Sequence, residues 1–394
     1  MSEAGGAGTG YRRDRFTWAA FAALLAFGVL NAVLGPALPY LRAVEDVGYV
    51  VGALHQVAFA VGGGLAGLAA GRAGDRPTRS LIVRVGLAGA AVAGLGVGYG
   101  SVPAVTVSAA FLVSLLGTSA LVRLWAALAD AHGLRRAVAL TEGEVSVSVG
   151  GIVAPLLVGG LSGTVLGWRF ALVVGAAVVL TTVALIGTVR IPEPHSDQPH
   201  RPVSPAASAD RRRRPAPALV LVFAVVALEW ALSFWLASYL ADSVGLNRGP
   251  AVLLVAGLYA ANLAGRLAAS RLAHHVGTEQ LLGGSLLVCL AGTPVLLAAT
   301  NAVVAVAGLV VLGAGIGATF PLASSVHVGA SGRNADGALG QVFATSAIGQ
   351  VLGPLSVGAI AQVTGLRVGL LVLPALAVAG AGALARHHHQ QPNR

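Results

Sequence analysis

The sequence predicts an all-α polytopic membrane protein: twelve transmembrane helices arranged as two six-helix halves in parallel repeat. Three observations lead there. Only 10% of the 394 residues are charged and 56% are hydrophobic, with a mean hydropathy of +0.81, whereas a soluble domain carries about 25% charged residues because its surface must be wetted. Twelve apolar runs are each long enough to cross a bilayer core, which takes roughly 20 residues of helix. Motifs of the first half recur in the second at offsets of 199, 198 and 194 residues.

The elements follow in order between basic or turn-rich breaks. Segment 1 (16–41) follows Arg12, Arg13 and Arg15, and its length and two prolines, Pro36 and Pro39, distinguish it from a cleaved signal peptide. Segment 2 (48–71) lies between Arg42 and Arg72, and segment 3 (80–100) begins just past Arg76 and Arg79. Arg135 and Arg136 divide segment 4 (103–129) from segment 5 (137–162), and Arg169 opens segment 6 (167–189). Segments 7 (216–241), 8 (250–272) and 9 (278–299) are set apart by Arg248 and Arg271. Segments 10 (302–327), 11 (337–362) and 12 (366–385) are set apart by Arg333 and Arg367. The resulting organisation is an N-terminal tail (1–15), a first half (16–189), a linker (190–217), a second half (218–385) and a C-terminal tail (386–394). The linker holds seven prolines, from Pro192 to Pro217, with four consecutive arginines, which is the composition of a mobile connection.

All 25 basic residues are arginine. Nineteen fall on the side of the termini, four on the opposite side and two, Arg84 and Arg123, within spans. Short basic loops stay in the cytoplasm, so both termini are expected there, in the cytoplasmic membrane of a bacterium. Arg211, Arg212, Arg213 and Arg214 then lie where anionic lipid head groups gather. A pI near 11.0 does not by itself indicate nucleic-acid binding, which needs basic residues clustered with a recognisable module. The one cysteine, Cys289, excludes a disulfide framework or a cysteine-based metal site. No catalytic triad, phosphate loop or cofactor motif is present, and His387, His388 and His389 read as a solvated tail. No cofactor and no metal are expected.

The repeat is the strongest organisational signal. Gly150-Gly-Ile-Val-Ala-Pro155 in segment 5 matches Gly349-Gln-Val-Leu-Gly-Pro354 in segment 11; Gly167-Trp-Arg169 matches Gly365-Leu-Arg367; Gly71-Arg72 matches Gly265-Arg266. Copies running in the same direction imply a pseudo-twofold along the membrane normal with a cavity between the halves.

The loop Gly71-Arg-Ala-Gly-Asp75-Arg76-Pro-Thr-Arg79, with twelve spans and the repeat, resembles the loop signature of the major facilitator superfamily. The resemblance covers nearly the whole chain. It implies alternating access, a small-molecule substrate, a monomer, and a latch between the halves formed by Gly71, Asp75, Arg76 and Arg79. Gly150 to Gly160 also resembles the glycine-proline signature of that superfamily's antiporters, with Ala154 departing from it. In both copies, Gly150 with Pro155 and Gly349 with Pro354, small residues allow close approach and proline weakens the helix so that it can bend.

Ionisable groups in hydrocarbon are expensive and mark functional sites by default. Glu229 lies midway along segment 7, where a carboxyl group can bind and release a proton as a cavity alternates between wet and closed. Glu142 and Glu144 in segment 5, with His55 in segment 2, are the other proton-coupling candidates, and Arg123 in segment 4 is placed to pair with one of the two glutamates. Asn31, Gln56, Arg123, Trp230, Tyr259, Asn262 and Gln350 are candidates to line the cavity, together with Trp235; Tyr239 is assigned to an interfacial belt. These residues point to a proton-coupled secondary transporter of a small organic solute and not to an enzyme. The segment 5 signature favours export. A proton symporter importing a sugar or small carboxylate fits Glu229 beside Trp230, and a non-transporting receptor or intramembrane enzyme is the alternative of another class.

Overall fold

The computed structural model describes residues 12–70, 78–192, 216–273, 275–330 and 335–389. The helices are α1 (Arg15–Ala32), α2 (Leu34–Glu45), α3 (Tyr49–Ala70), α4 (Arg79–Tyr99), α5 (Pro103–His132), α6 (Arg136–Ser162) and α7 (Arg169–Gly187). The second half holds α8 (Ala216–Asp242), α9 (Arg248–Leu272), α10 (Thr278–Leu297), α11 (Ala302–Ala330), α12 (Ala335–Thr364), α13 (Leu366–Gly369) and α14 (Val372–His389). They form twelve helical stretches long and apolar enough to cross a membrane, and the described residues contain no strand. The chain is a multi-pass membrane protein. Apolar side chains such as Val92, Leu287 and Val378 stand exposed on outward faces, the arrangement that a lipid solvent favours.

The first span is one stretch, Arg15–Glu45, interrupted at Val33. Pro36 explains the interruption: it has no amide hydrogen for the Ala32 carbonyl, and its ring crowds that turn. Asp14 caps α1 by accepting from the Thr17 amide at 2.8 Å and its hydroxyl at 2.6 Å.

The packing repeats from half to half. The first span packs on α6 as α8 packs on α12; α3 and α4 pack on α5 as α9 and α10 pack on α11; α7 packs on α4 and α1 as α14 packs on α10 and α8. Sequence details explain the symmetry. A Cβ on Gly150 would strike the Leu25 carbonyl, and one on Gly349 would lie 3.1 Å from the Ala227 amide and Phe223 carbonyl, so each glycine lets its helix touch the first helix of its half. Gly167 and Gly365 both take positive φ, 70° and 87°. Each turn aims an arginine at carbonyls at a neighbouring helix end: Arg169 donates to Gly98 at 2.8 Å, and Arg367 to Ala299 at 2.9 Å and Ser243 at 3.1 Å.

The last helix continues through His389, past the expected tail boundary at 385. His387 is buried and His388 Nδ1 lies 2.9 Å from Glu279 Oε2, so the histidine run is helical and anchored on α10, while His388 and His389 stay exposed to solvent as expected of a tail. Cys289 is buried in α10, where a Cβ on Gly315 of α11 would meet its Sγ.

Candidate functional site

The halves meet along α2 with α8, α3 with α12 and α6 with α9. Between them lies a cavity of about 270 Å³ lined from both halves by α1, α6, α8 and α9. The break after α1 leaves Asn31 and Ala32 at its wall. The first half also contributes Glu144, Val147, Ser148 and Gly151; the second contributes Glu229, Trp230, Ser233, Tyr259, Asn262 and Arg266. Asn262 Nδ2 donates to Glu229 Oε1 at 3.1 Å, and Tyr259 bonds to Ser233. The Asn262 amide oxygen is buried without a hydrogen-bond partner. Arg266 is anchored by its Nε, which donates to the Gly317 carbonyl at 3.1 Å, and its guanidinium is within electrostatic reach of both Glu144 and Glu229. Two carboxyl groups from opposite halves thus lie in the field of one cation across the cavity, with no direct ion pair between them among the described residues, so a proton, or a charged group on a solute, can shift that balance.

Six sequence candidates meet in this cavity: Asn31, Glu144, Glu229, Trp230, Tyr259 and Asn262; Gly151, next to Gly150 of the glycine-proline stretch, also lines it. Others lie elsewhere. Glu142 accepts from Arg13 Nε at 2.9 Å near the start of α1, and among the described residues neither Glu142 nor Glu144 pairs with Arg123, because Arg13 occupies that place and Glu144 turns to the cavity. Arg123 and Gln350 are half-buried outside the cavity lining, and Gln56 is buried away from it. His55 is buried against Thr106. Trp235 and Tyr239 are core residues, not cavity or interfacial ones: Trp235 Nε1 donates to the Pro354 carbonyl and the Tyr239 hydroxyl to the Leu296 carbonyl, both at 2.8 Å. Of the expected latch, Gly71, Asp75 and Arg76 lie outside the described residues, as do Arg211 to Arg214. Arg79 bonds to Asp130 of its own half at 2.6 Å and to the Pro192 carbonyl at the start of the linker at 3.0 Å.

Arg266 is the main site residue that sequence reasoning missed. Counting it as a loop arginine hid it; its place inside the apolar pattern of segment 8, six residues before the end of α9, was the available signal. A second omission lies at the end of the bundle away from the termini, here called the distal end. There Arg42 Nη1 donates to Asp242 Oδ2 at 3.0 Å, the Tyr49 hydroxyl donates to the same oxygen at 3.1 Å, and the guanidinium stacks 3.8 Å from the Tyr49 ring centre. Gln362 Oε1 accepts from the Val50 amide at 3.3 Å. Among the described residues these polar contacts join the halves at the distal end. The signal was Arg42 itself, one of four arginines on the side that topology keeps poor in basic residues.

Twelve spans in two like halves around a shared central cavity define a class of solute-transporter fold. Residues 16–354 match the Major Facilitator Superfamily, and the chain belongs to that superfamily. No curated protein matches it by sequence. Among solved structures, it is similar to a bacterial homologue of the human lysosomal transporter Spinster, in an inward-facing and occupied conformation (TM-score 0.80, 17% identity, 96% of this chain and 98% of the other covered). It is also similar to a mutant of the nucleoside transporter NupG (0.78, 13%, 95% and 100%) and to a D-xylose–proton symporter (0.71, 14%, 94% and 96%). At these identities the likeness is one of fold.

Proposed function

We propose that the chain is a secondary active transporter that moves a small organic solute by alternating access, coupled to protons, across the cytoplasmic membrane of a bacterium with both termini inside. The observation that carries this reading is the central cavity: Glu144 from the first half and Glu229 from the second face a common Arg266. Protonating either carboxyl group removes one of the two attractions on the guanidinium, so proton binding biases how the halves sit. Asn31, Asn262 and Tyr259 supply hydrogen bonds for a solute, and Trp230 supplies a flat apolar face. The distal contacts close one entrance, which leaves the cavity to communicate with the end that carries the termini.

Export is the preferred direction, on the glycine-proline stretch of α6. A second reading, import of a sugar or small carboxylate with a proton, is favoured by Arg266 in the cavity wall, where a carboxylate can bind a guanidinium in a bidentate manner. Proteoliposomes with an interior pH dye test both, with sugars, carboxylates and cationic drugs as solutes and Glu229→Gln beside the parent. A solute that drives proton movement in the parent and not in the variant supports coupling through Glu229, and the sign of the flux gives direction. Unchanged proton movement in the variant refutes it.

A further inference from the structure

A second set of chemistry-bearing side chains is sealed at the distal end of the first half. Glu45 closes α2, His55 lies in the second turn of α3, and Thr106 lies in the first turn of α5. All three side chains are fully buried. Thr106 Oγ1 is 2.6 Å from Glu45 Oε1 and 2.9 Å from His55 Nε2. His55 Nδ1 faces carbonyl oxygens, those of Val51 at 3.3 Å and Gly52 at 3.2 Å, so Nδ1 carries a hydrogen.

Counting hydrogens then decides the state. The two contacts of the Thr106 oxygen need two protons, and the hydroxyl supplies one. Its longer alternatives, the carbonyls of Val102 at 3.5 Å and Pro103 at 3.3 Å, would draw that hydrogen away and raise the number needed. The second proton sits either on Nε2, giving an imidazolium beside a carboxylate, or on Glu45, giving a neutral acid. In both cases the set holds one proton more than a carboxylate beside a neutral imidazole. The Thr106 hydroxyl can pass it between the two ends: Nε2 gives its hydrogen to Oγ1 while the hydroxyl hydrogen moves to Glu45, and no atom is left over. Glu45 Oε2, buried without a hydrogen-bond partner, lies 3.9 Å from Nε2.

The set is built into the distal gate. Arg42, one turn before Glu45, lies over Gly52, where a Cβ would come within 3.0 Å of Cδ, and Gly52 is the residue whose carbonyl faces His55. The charged or titratable groups that contact the gate or adjoin the set are Asp242 on α8, Tyr49 at the start of α3, and Asp46, which follows Glu45 in the chain; Tyr40 on α2, Tyr99 at the end of α4, and Arg169, Arg248 and Arg367 at the starts of α7, α9 and α13 lie at the same end. α5 and α12 bring Thr106 and Gln362, neither ionisable.

We propose that Glu45, Thr106 and His55 form a second proton-binding site, separate from the central cavity, whose bound proton holds the distal gate closed. Losing the proton to water leaves a bare carboxylate and breaks one of the two bonds. Hydrating that carboxylate requires α2 and α3, which carry Arg42 and Tyr49, to loosen from α5 and the second half. The link to the gate rests on the alternating-access reading; the proton count does not.

The test uses the full chain in lipid nanodiscs, with spin labels on cysteines at Val44 and Val363, exposed positions on α2 and α12, and distances measured across a pH series. A short distance at low pH that gives way to a longer one as pH rises supports the proposal. Titration of Asp242 alone would act with the opposite sign, since protonating it weakens the gate. Thr106→Ser keeps the hydroxyl and should keep the transition. Thr106→Val, of like shape without the hydroxyl, should abolish it, and Glu45→Gln, whose amide hydrogen stands in for the bound proton, should stay closed at every pH. The proposal is overturned if Thr106→Val and Glu45→Gln titrate as the parent does, or if the parent distance never changes with pH. In that last case, solute-driven proton flux in the same preparation tells whether alternating access has failed too.

Discussion

Replacing Asp242 with Asn should open the distal gate. The carboxylate receives both Arg42 and Tyr49 on one oxygen, at 3.0 and 3.1 Å, and the amide keeps the shape while removing the charge. The side chains of Arg42 and Asp242 are 16% and 33% exposed, so the pair is neither a surface bridge, worth about 0.2–1 kcal/mol, nor a sealed one. A hydrogen bond to a charged group contributes about 1.5–3 kcal/mol when shielded. An intermediate loss of about 1–2 kcal/mol shifts the closed-to-open ratio by a factor of roughly 5–30. Spin-label distances between Val44 and Val363 at neutral pH read that ratio directly. Arg42→Gln should act at least as strongly, because it also removes the cation from the Tyr49 face, and the double variant should shift the ratio by less than the sum of the two singles. High salt should narrow the difference between parent and variant, since the pair is partly exposed. If Asp242→Asn leaves the distance distribution as it is in the parent, the contact is incidental and the reasoning about the gate is wrong.

Other outcomes can be checked on the same preparation. Gly150→Val should lower the thermal unfolding midpoint in detergent by more than Gly349→Ala, because its branch meets the Leu25 backbone whereas the Gly349 neighbours lie 3.1 Å away; overpacking of this kind costs about 1–3 kcal/mol. Asp14→Ala should weaken the start of α1 by about 1 kcal/mol. Burial pushes the Asp14 carboxyl up, but the Thr17 bonds and nearby His132 outweigh it and hold the group below its ordinary value. The cap contribution is therefore complete above the unfolded carboxylate value, about pH 4, and is lost as pH falls through the lower folded value. A hydrogen-exchange profile of α1 that weakens instead as pH rises through that range would contradict the assignment.

The spans were legible because lipid imposes a long apolar helix on every crossing, and the pairing of the halves was legible because Gly150 and Gly349, or Arg169 and Arg367, do the same mechanical task in each copy. Depth along a span was harder to read. Arg266 looked like a topology signal because the count of loop arginines treats an arginine near a helix end as outside it, although the guanidinium reaches back to Gly317. Direction around a helix was harder still. Glu142 and Glu144 differ by two residues and face different neighbours, one toward Arg13 and one toward the cavity, and a nearly continuous apolar sequence has no polar face from which to read that turn. The partners of His55 and Trp235 were hidden for the same reason: a polar atom on a membrane helix satisfies itself against any carbonyl or hydroxyl within reach, and its partner, Thr106 or the Pro354 carbonyl, is distant in sequence.

The burial of Cys289 has a practical consequence. The only thiol of the chain sits sealed between α10 and α11, fully out of reach of solvent. Any thiol introduced elsewhere is then the single site open to a maleimide or nitroxide reagent. The native chain is its own blank in such an experiment, and a reagent that begins to modify it reports that the α10–α11 seam has come apart before any engineered probe has moved.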